Sequence, residues 1–201
     1  MIIDDVIYRP AIWKDISGLV ELDKKKWRDL AAGFDKWESR MRIFPEGVLV
    51  AEYNKKIVGT AVAHIVDYPE DRIPSWEEIT DNGYIRNHNL KGNKFYGVNF
   101  TVDRQENKRV AFNIHEYQLN SLVRERGLPF RVGHVAPFVS DYKNKYGVDK
   151  LSKEKVEELA RNDPVIESLY FKLGFELIQA CEDYFIEDKK SDGWGLIFEV
   201  E

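Results

Sequence analysis

Apolar and polar positions recur along this chain with two different periods, and each change of period marks a predicted element. A short β-like run over 5–8 ends near Pro10, which cannot continue a ladder. Asp15 then stands where a helix cap is needed, ahead of Ile16, Leu19, Val20 and Trp27 at helical spacing. Residues 47–53 and 57–66 are β-rich, and the Asn54-Lys55 pair between them predicts a tight hairpin. FYGVNFTV, residues 95–102, predicts a strand that leads through a loop into a helix over 110–126. Gly127 is a natural stop for that helix, and a strand over 129–135 follows. Asp163 and Pro164 suit a helix start; Val165, Ile166, Leu169, Tyr170 and Leu173 continue it and Gly174 closes it. Strands over 175–180 and 194–200 complete the pattern, in which no internal repeat or low-complexity linker appears.

Two connections exceed ordinary loop length. Residues 67–94 form a polar stretch containing Trp76, and 137–162 carry a helix of their own near 152–161. Connections that long are binding loops and lids, or surface additions that complete the core, and both readings stay open here.

Composition narrows the picture. The 201 residues predict one domain, 1–201, able to bury a single sizeable core. A hydrophobic content of 43% with 32% charged residues is that of a soluble globular chain. The net charge of −5 argues against nucleic acid as a partner, because phosphate backbones demand a basic face. One cysteine, Cys181, excludes an internal disulfide and suits a reducing cytosol. The opening MIIDDVIYRP is acidic with too short an apolar stretch for a signal peptide, and no run is long enough to cross a membrane. A cytoplasmic protein is expected. His64, His88, His115 and His134 share no metal-ligand spacing, so no metal is expected.

The stretch TVDRQENKRVAFNIHEY, 101–117, raises the main chemical question. A loop between strand and helix is a common phosphate site, because the first N–H groups of the helix are unpaired and face it. Such loops usually carry glycines, yet none stands between Gly97 and Gly127. The loop is a cradle built another way, a decayed one, or never one at all.

The order of elements resembles the GNAT fold of acyl-CoA-dependent N-acetyltransferases. YRPAIWKDISGLVEL at 8–22 resembles that family's opening strand and helix, and VLVAEYNKKIVGTAVAHI its central hairpin. LYFKLGF at 169–175 resembles its widespread L-Y-x-x-L-G-F signature. WEEIT at 76–80, NGYI, FYGVNFTV, Tyr142, DPVIESLY at 163–170 and DYFIEDKKSDGWG at 183–195 are similar to a narrower GNAT subgroup, sometimes fused to carbon–nitrogen hydrolases. The resemblance implies an α/β (α+β) fold: a mixed, mostly antiparallel central sheet flanked by helices, with splayed central strands and two long insertions. It also implies acetyl-CoA or another short acyl-CoA as donor and a small amine or amino-acid-like acceptor; a homodimer is left open. One departure is plain. The family's Arg/Gln-x-x-Gly-x-Gly/Ala loop is represented here by Asn107, Lys108, Arg109, Val110, Ala111 and Phe112. Val110 and Phe112 stand where small residues belong, which would crowd the anion and strain the backbone by roughly 1 kcal/mol per residue. Lys108 and Arg109 could compensate with charge-assisted contacts of ~1.5–3 kcal/mol each.

The resemblance assigns the cofactor to Phe100, Thr101 and Val102 as well as to the loop, mainly through backbone groups. It makes Tyr170 the candidate general acid for the leaving thiolate. His134 is the first candidate base, with His64 and Glu52 behind it. Trp76, Tyr96, Tyr142 and Tyr184 are the expected acceptor walls. Asp188 and Ser191 read as a turn before the last strand. The alternative, carried by the glycine-free loop, is a catalytically inactive GNAT-like module that binds a ligand or protein partner.

Overall fold

In a computed structural model that describes residues 1–103 and 109–201, the chain opens with a strand pair, β1 (Ile2–Ile3) and β2 (Val6–Pro10). Pro10 is the last residue of β2, so its missing N–H interrupts no further ladder bond. Asp15 does not cap α1 (Ile16–Trp27) as expected. Its carboxylate accepts the Ile12 N–H at 2.8 Å and the Arg9 guanidinium at 2.6 and 3.0 Å, tying the end of β2 to the turn before the helix. A helix that the polar reading did not anticipate, α2 (Phe34–Ile43), follows and buries Trp37, Arg40 and Met41.

The hairpin forms as its turn residues require. Asn54 and Lys55 take φ of 48° and 63°, the geometry of a two-residue turn that matches strand twist. They join β3 (Val48–Tyr53) to β4 (Lys56–Val66). The first long connection contains α3 (Trp76–Thr80), capped by Ser75 Oγ, which accepts the Glu78 N–H at 3.2 Å. Its Ile79 packs with Tyr68 and Tyr96, so the insertion completes the core locally.

After β5 (Lys94–Val102) come α4 (Val110–Gln118), a wider π-type turn at Leu119–Val123, and α5 (Arg124–Arg126). Together they form the helix expected over 110–126, and Gly127 ends it at φ 62°. Next are β6 (Phe130–Val135), α6 (Phe138–Tyr146) and α7 (Lys153–Arg161). Asp163 caps α8 (Pro164–Leu169) by accepting from Val165 and Ile166 at 2.8 and 3.0 Å. The chain ends in β7 (Glu176–Phe185), longer than expected, and β8 (Gly193–Val200).

The strands form one sheet in the order β1-β2-β3-β4-β5-β6-β8-β7, antiparallel except where β5 meets β6. Phe100 and Val102 face α4, whose Val110 and Ile114 pack with Tyr8, Ala51, Val58 and Ala61. Asn99 and Thr101 alternate with them and therefore face α1 on the other side of the sheet.

Candidate active site

The site begins with a break in sheet pairing. β5 and β6 pair only over Phe95–Gly97 and Phe130–Val132, and a bulge interrupts the β4–β5 register between Val62 and Ala63. Beyond Gly97 the two strands diverge, leaving their facing amides and carbonyls to bond a third extended chain. A cleft of about 500 Å³ occupies the splay, bounded by Val98–Phe100 on one strand and Gly133–Val135 on the other. Trp76 closes one side, its Nε1 donating to the Val98 carbonyl at 3.0 Å.

Under β5 lies a buried polar knot. Asp23, with no exposed surface, accepts from Thr101 Oγ1 at 2.8 Å, from Asn99 Nδ2 at 3.0 Å and from the Ala32 N–H at 3.4 Å. Burial pushes its carboxyl above the usual range, against the pull of these donors and of Arg40. Trp27, which lines the cleft, donates Nε1 to Thr101 Oγ1 at 2.8 Å. Thr101 is thus occupied beneath the strand by its side chain, whereas Phe100 and Val102 line the cleft as expected.

Tyr170 and His134 meet across the cleft wall: Tyr170 Oη lies 3.0 Å from His134 Nδ1. Both line the cleft. The Tyr170 ring stacks on Phe198 at a 4.3 Å centroid separation, and burial raises its phenol, so it holds its proton through the neutral range. His115, which sequence reasoning did not place at a site, sits edge-on to Tyr170 at 5.5 Å and lines the same cleft. Its Nδ1 is 3.1 Å from the Leu169 carbonyl, and burial pushes its pKa down to about 4, which keeps it neutral.

The start of α4 adjoins the cleft through Ala111 and Val102. None of Arg109, Val110, Ala111 and Phe112 takes a positive φ, so the expected backbone strain is absent from these four residues. Val110 is fully buried, its Cγ1 turned toward Gly59, and Phe112 is half-buried and absent from the cleft lining. Arg109 is exposed at the helix start; Asn107 and Lys108 lie outside the described residues.

Of the four aromatics expected to wall an acceptor pocket, only Trp76 lines the cleft. Tyr96 and Tyr184 are core residues whose hydroxyls bond each other, with Tyr184 lying over Gly133 and Gly195. Tyr142 packs at a tilt against Tyr146, with 4.5 Å between ring centroids, on α6. Two candidate bases are likewise displaced. His64 is fully buried away from the cleft, and Glu52 pairs with Arg9 at 2.6 Å on a distant strand. Asp188 and Ser191 form the expected turn, Ser191 Oγ donating to Asp188 at 2.6 Å.

Sequence reasoning also missed Asp23 and Arg40. A signal existed for the first: residues 16, 19, 20, 23 and 27 share one helical stripe, so an aspartate among apolar neighbours there is a buried polar group. Among the described residues no cluster of metal-ligating side chains appears, and no helix is long and apolar enough to cross a membrane.

No family model matches the chain. It is 30% identical over 195 residues to "Uncharacterized N-acetyltransferase YkwB" of Bacillus subtilis (strain 168), covering 92% of this chain and 84% of that protein. It is 28% identical over 196 residues to "Probable hydrolase YhcX" of the same organism, covering 92% of this chain but only 36% of that one. The chain therefore spans about a third of the length of the second relative, in agreement with the expected hydrolase-fused subgroup. Among solved structures, the GNAT-like decarboxylase GphF in complex with isobutyryl-CoA superposes with a TM-score of 0.78 at 18% identity, over 96% of this chain and 97% of that one.

Proposed function

The chain belongs to the GNAT superfamily of N-acetyltransferases, and on that premise we propose that it moves an acetyl or other short acyl group from coenzyme A to a small amine or amino-acid-like acceptor. Acyl-CoA supplies a thioester as the activated acyl group. The observation that carries the reading is the 3.0 Å contact between Tyr170 Oη and His134 Nδ1 at the splay.

The residues present fit such a donor. Diverging backbone at Val98–Val102 and Gly133–Val135 suits an extended amide-bearing arm. The α4 start, adjoining the cleft at Ala111, would offer a diphosphate the N–H groups that a first helical turn leaves without intrahelical partners, and the positive dipole end, with Arg109 exposed beside them. Tyr170 holds a proton at Oη as the general acid. In one tautomer His134 Nδ1 accepts that O–H; in the other it donates to Oη, freeing the phenol proton to face the cleft and standing ready to replace it. Aromatic packing on Phe175 and Phe198 keeps water off the Tyr170 ring.

The inward turn of Val110 supports this reading over an inactive module, since bulk that points into the core does not occupy the anion's side of the helix start. A thermal shift tests it. Acetyl-CoA at ~100 times its dissociation constant adds roughly 2.7 kcal/mol, expected to raise Tm by about 5–10 °C in a chain of this size. No shift at millimolar acetyl-CoA would sink the proposal.

A further inference from the structure

Arg40 is 1% exposed, yet it lines the cleft beside Trp76 and Asn82. Its Nε donates to the Gly83 carbonyl at 2.8 Å, and its guanidinium lies over the Trp37 ring, Cζ 4.5 Å from the centroid. Those contacts fix the plane of the guanidinium: Nη1 is shut off from solvent and meets no acceptor among the described residues, while Nη2 lies on the side of Gly83 and Trp76, the latter a wall of the cleft. The carboxylates near enough to act on its charge are engaged elsewhere. Asp23 accepts from Asn99, Thr101 and Ala32, and Asp35 from the Tyr84 hydroxyl. Burial lowers the Arg40 pKa only to about 10, so the group stays cationic at neutral pH.

A buried guanidinium ordinarily completes a bidentate pair with a carboxylate, the partner whose geometry matches its fork. One left short of that partner is an exception that calls for a reason, and a ligand is one. Lys36, one turn away on α2, lines the same cleft and adds a second cation on that face. Asp29 and Glu77 also line it, so an ammonium finds its counter-charge there too.

We infer that the Arg40 guanidinium, where it borders the cleft beside Trp76, receives a carboxylate carried by the substrate, either the α-carboxylate of an amino-acid acceptor or the terminal carboxylate of a dicarboxylic acyl chain. The inference rests on the acyl-transfer reading above and names the substrate class of that same cleft.

The test separates the two sources. Thiol release by the full chain is measured with acetyl-CoA and the common L-amino acids, each against its own carboxamide. In parallel, malonyl-CoA and succinyl-CoA replace acetyl-CoA with the carboxamides as acceptors. The expected result is a preference of at least about tenfold in kcat/KM for one carboxylate form, in the first arm if the acceptor carries it and in the second if the acyl chain does; a charge-assisted bond is large enough for that. Arg40→Gln removes the preference while the thermal shift given by acetyl-CoA persists. Where Arg40→Gln fails to fold, Arg40→Lys keeps a charge without the fork and loses most of the preference. Acids and amides used equally, or a preference that survives both variants, overturns the inference. So does absence of turnover in every arm while acetyl-CoA still shifts Tm, a result that spares donor binding. Absence of the shift in the unaltered protein overturns the acyl-transfer reading and this inference with it. Titration calorimetry with the free amino acids and with succinyl-CoA reads carboxylate binding without transfer, and no difference between the unaltered protein and Arg40→Gln there overturns this inference alone.

Discussion

Replacing Tyr170 with phenylalanine removes one oxygen atom and keeps the ring. That ring is 3% exposed, parallel to Phe198 at 4.3 Å and edge-on to Phe175 at 5.4 Å, and none of these contacts uses the hydroxyl. The fold should lose only the bond to His134, about 0.5–1.5 kcal/mol, or about 1–6 °C in Tm for a chain near 200 residues. A positioned general acid contributes about 10²–10⁴-fold to rate, equal to about 3–5 kcal/mol at the barrier. The two magnitudes are far enough apart to be told apart. Thiol release with acetyl-CoA and the best acceptor gives kcat; the acetyl-CoA thermal shift gives donor binding. Tyr170→Phe is expected to lower kcat at least about 100-fold and to leave the thermal shift intact. The pH profile adds a second arm. The phenol's folded pKa is raised, an acid works only while protonated, and so any alkaline fall in kcat due to Tyr170 belongs above the ordinary tyrosine range near pH ~10. A kcat within about threefold of the unaltered protein, where a general acid should give at least about 100-fold, or a parallel collapse of donor binding, refutes the assigned role.

Two further perturbations probe the scaffold. Asp23→Ala strands three donors and the Arg40 charge, and should destabilise by about 3–5 kcal/mol in urea unfolding, whereas Asp23→Asn keeps an acceptor oxygen and should lose less than half of that; equal losses would mean that the negative charge, and not the acceptor oxygen, holds the knot. Burial pushes His64 down to about 3 and His115 to about 4, so the unfolded chain takes up protons below pH ~6.5 while the folded one does not, and stability should fall as pH drops from there toward 4. Each such histidine contributes up to about 1.4 kcal/mol per pH unit to that slope, and burial lowers His88 as well, so His64→Leu should remove roughly a third of it between pH 6 and 4.5, an unchanged slope being the refuting result.

How far the sequence reached depended on whether a feature was local. Asn54-Lys55, Asp163 and Gly127 act through their own backbone angles and caps, so these turns and helix ends could be placed from neighbours in sequence; Gly174, expected to close the helix that Asp163 starts, instead closes a separate 3₁₀ turn at Phe171–Leu173, because α8 already ends at Leu169. Helix α2 escaped because its apolar positions are sparse, and one of the three residues it buries is a charged one, Arg40, which a hydrophobic pattern does not count. The aromatic walls failed for a similar reason. Trp76, Tyr96, Tyr142 and Tyr184 are alike in chemistry, and only the pairing of distant strands decides which of them meets the splay. Tyr170 and His134, 36 positions apart, come together through β6 and the end of α8; each could be named alone, but their contact could not.

The glycine-free loop is where local rules and the folded molecule part most clearly. A motif glycine at a helix start answers two needs, a left-handed φ or room for a close approach. Val110 sits in the first turn of α4 without positive φ, so the first need does not arise there. The second is met from the opposite strand. A Cβ added at Gly59 would lie 2.9 Å from Val110 Cγ1 and 3.3 Å from Ala51 Cβ, distances too short for both to be kept. The bulk gained at the helix start is therefore housed by a glycine 51 positions earlier on β4. Because an anion at a helix start is held by the helix's first amides and the dipole, a branched residue is compatible with binding there so long as its branches point inward. That compensation lies across the sheet, which is why a motif read along the chain registers as lost.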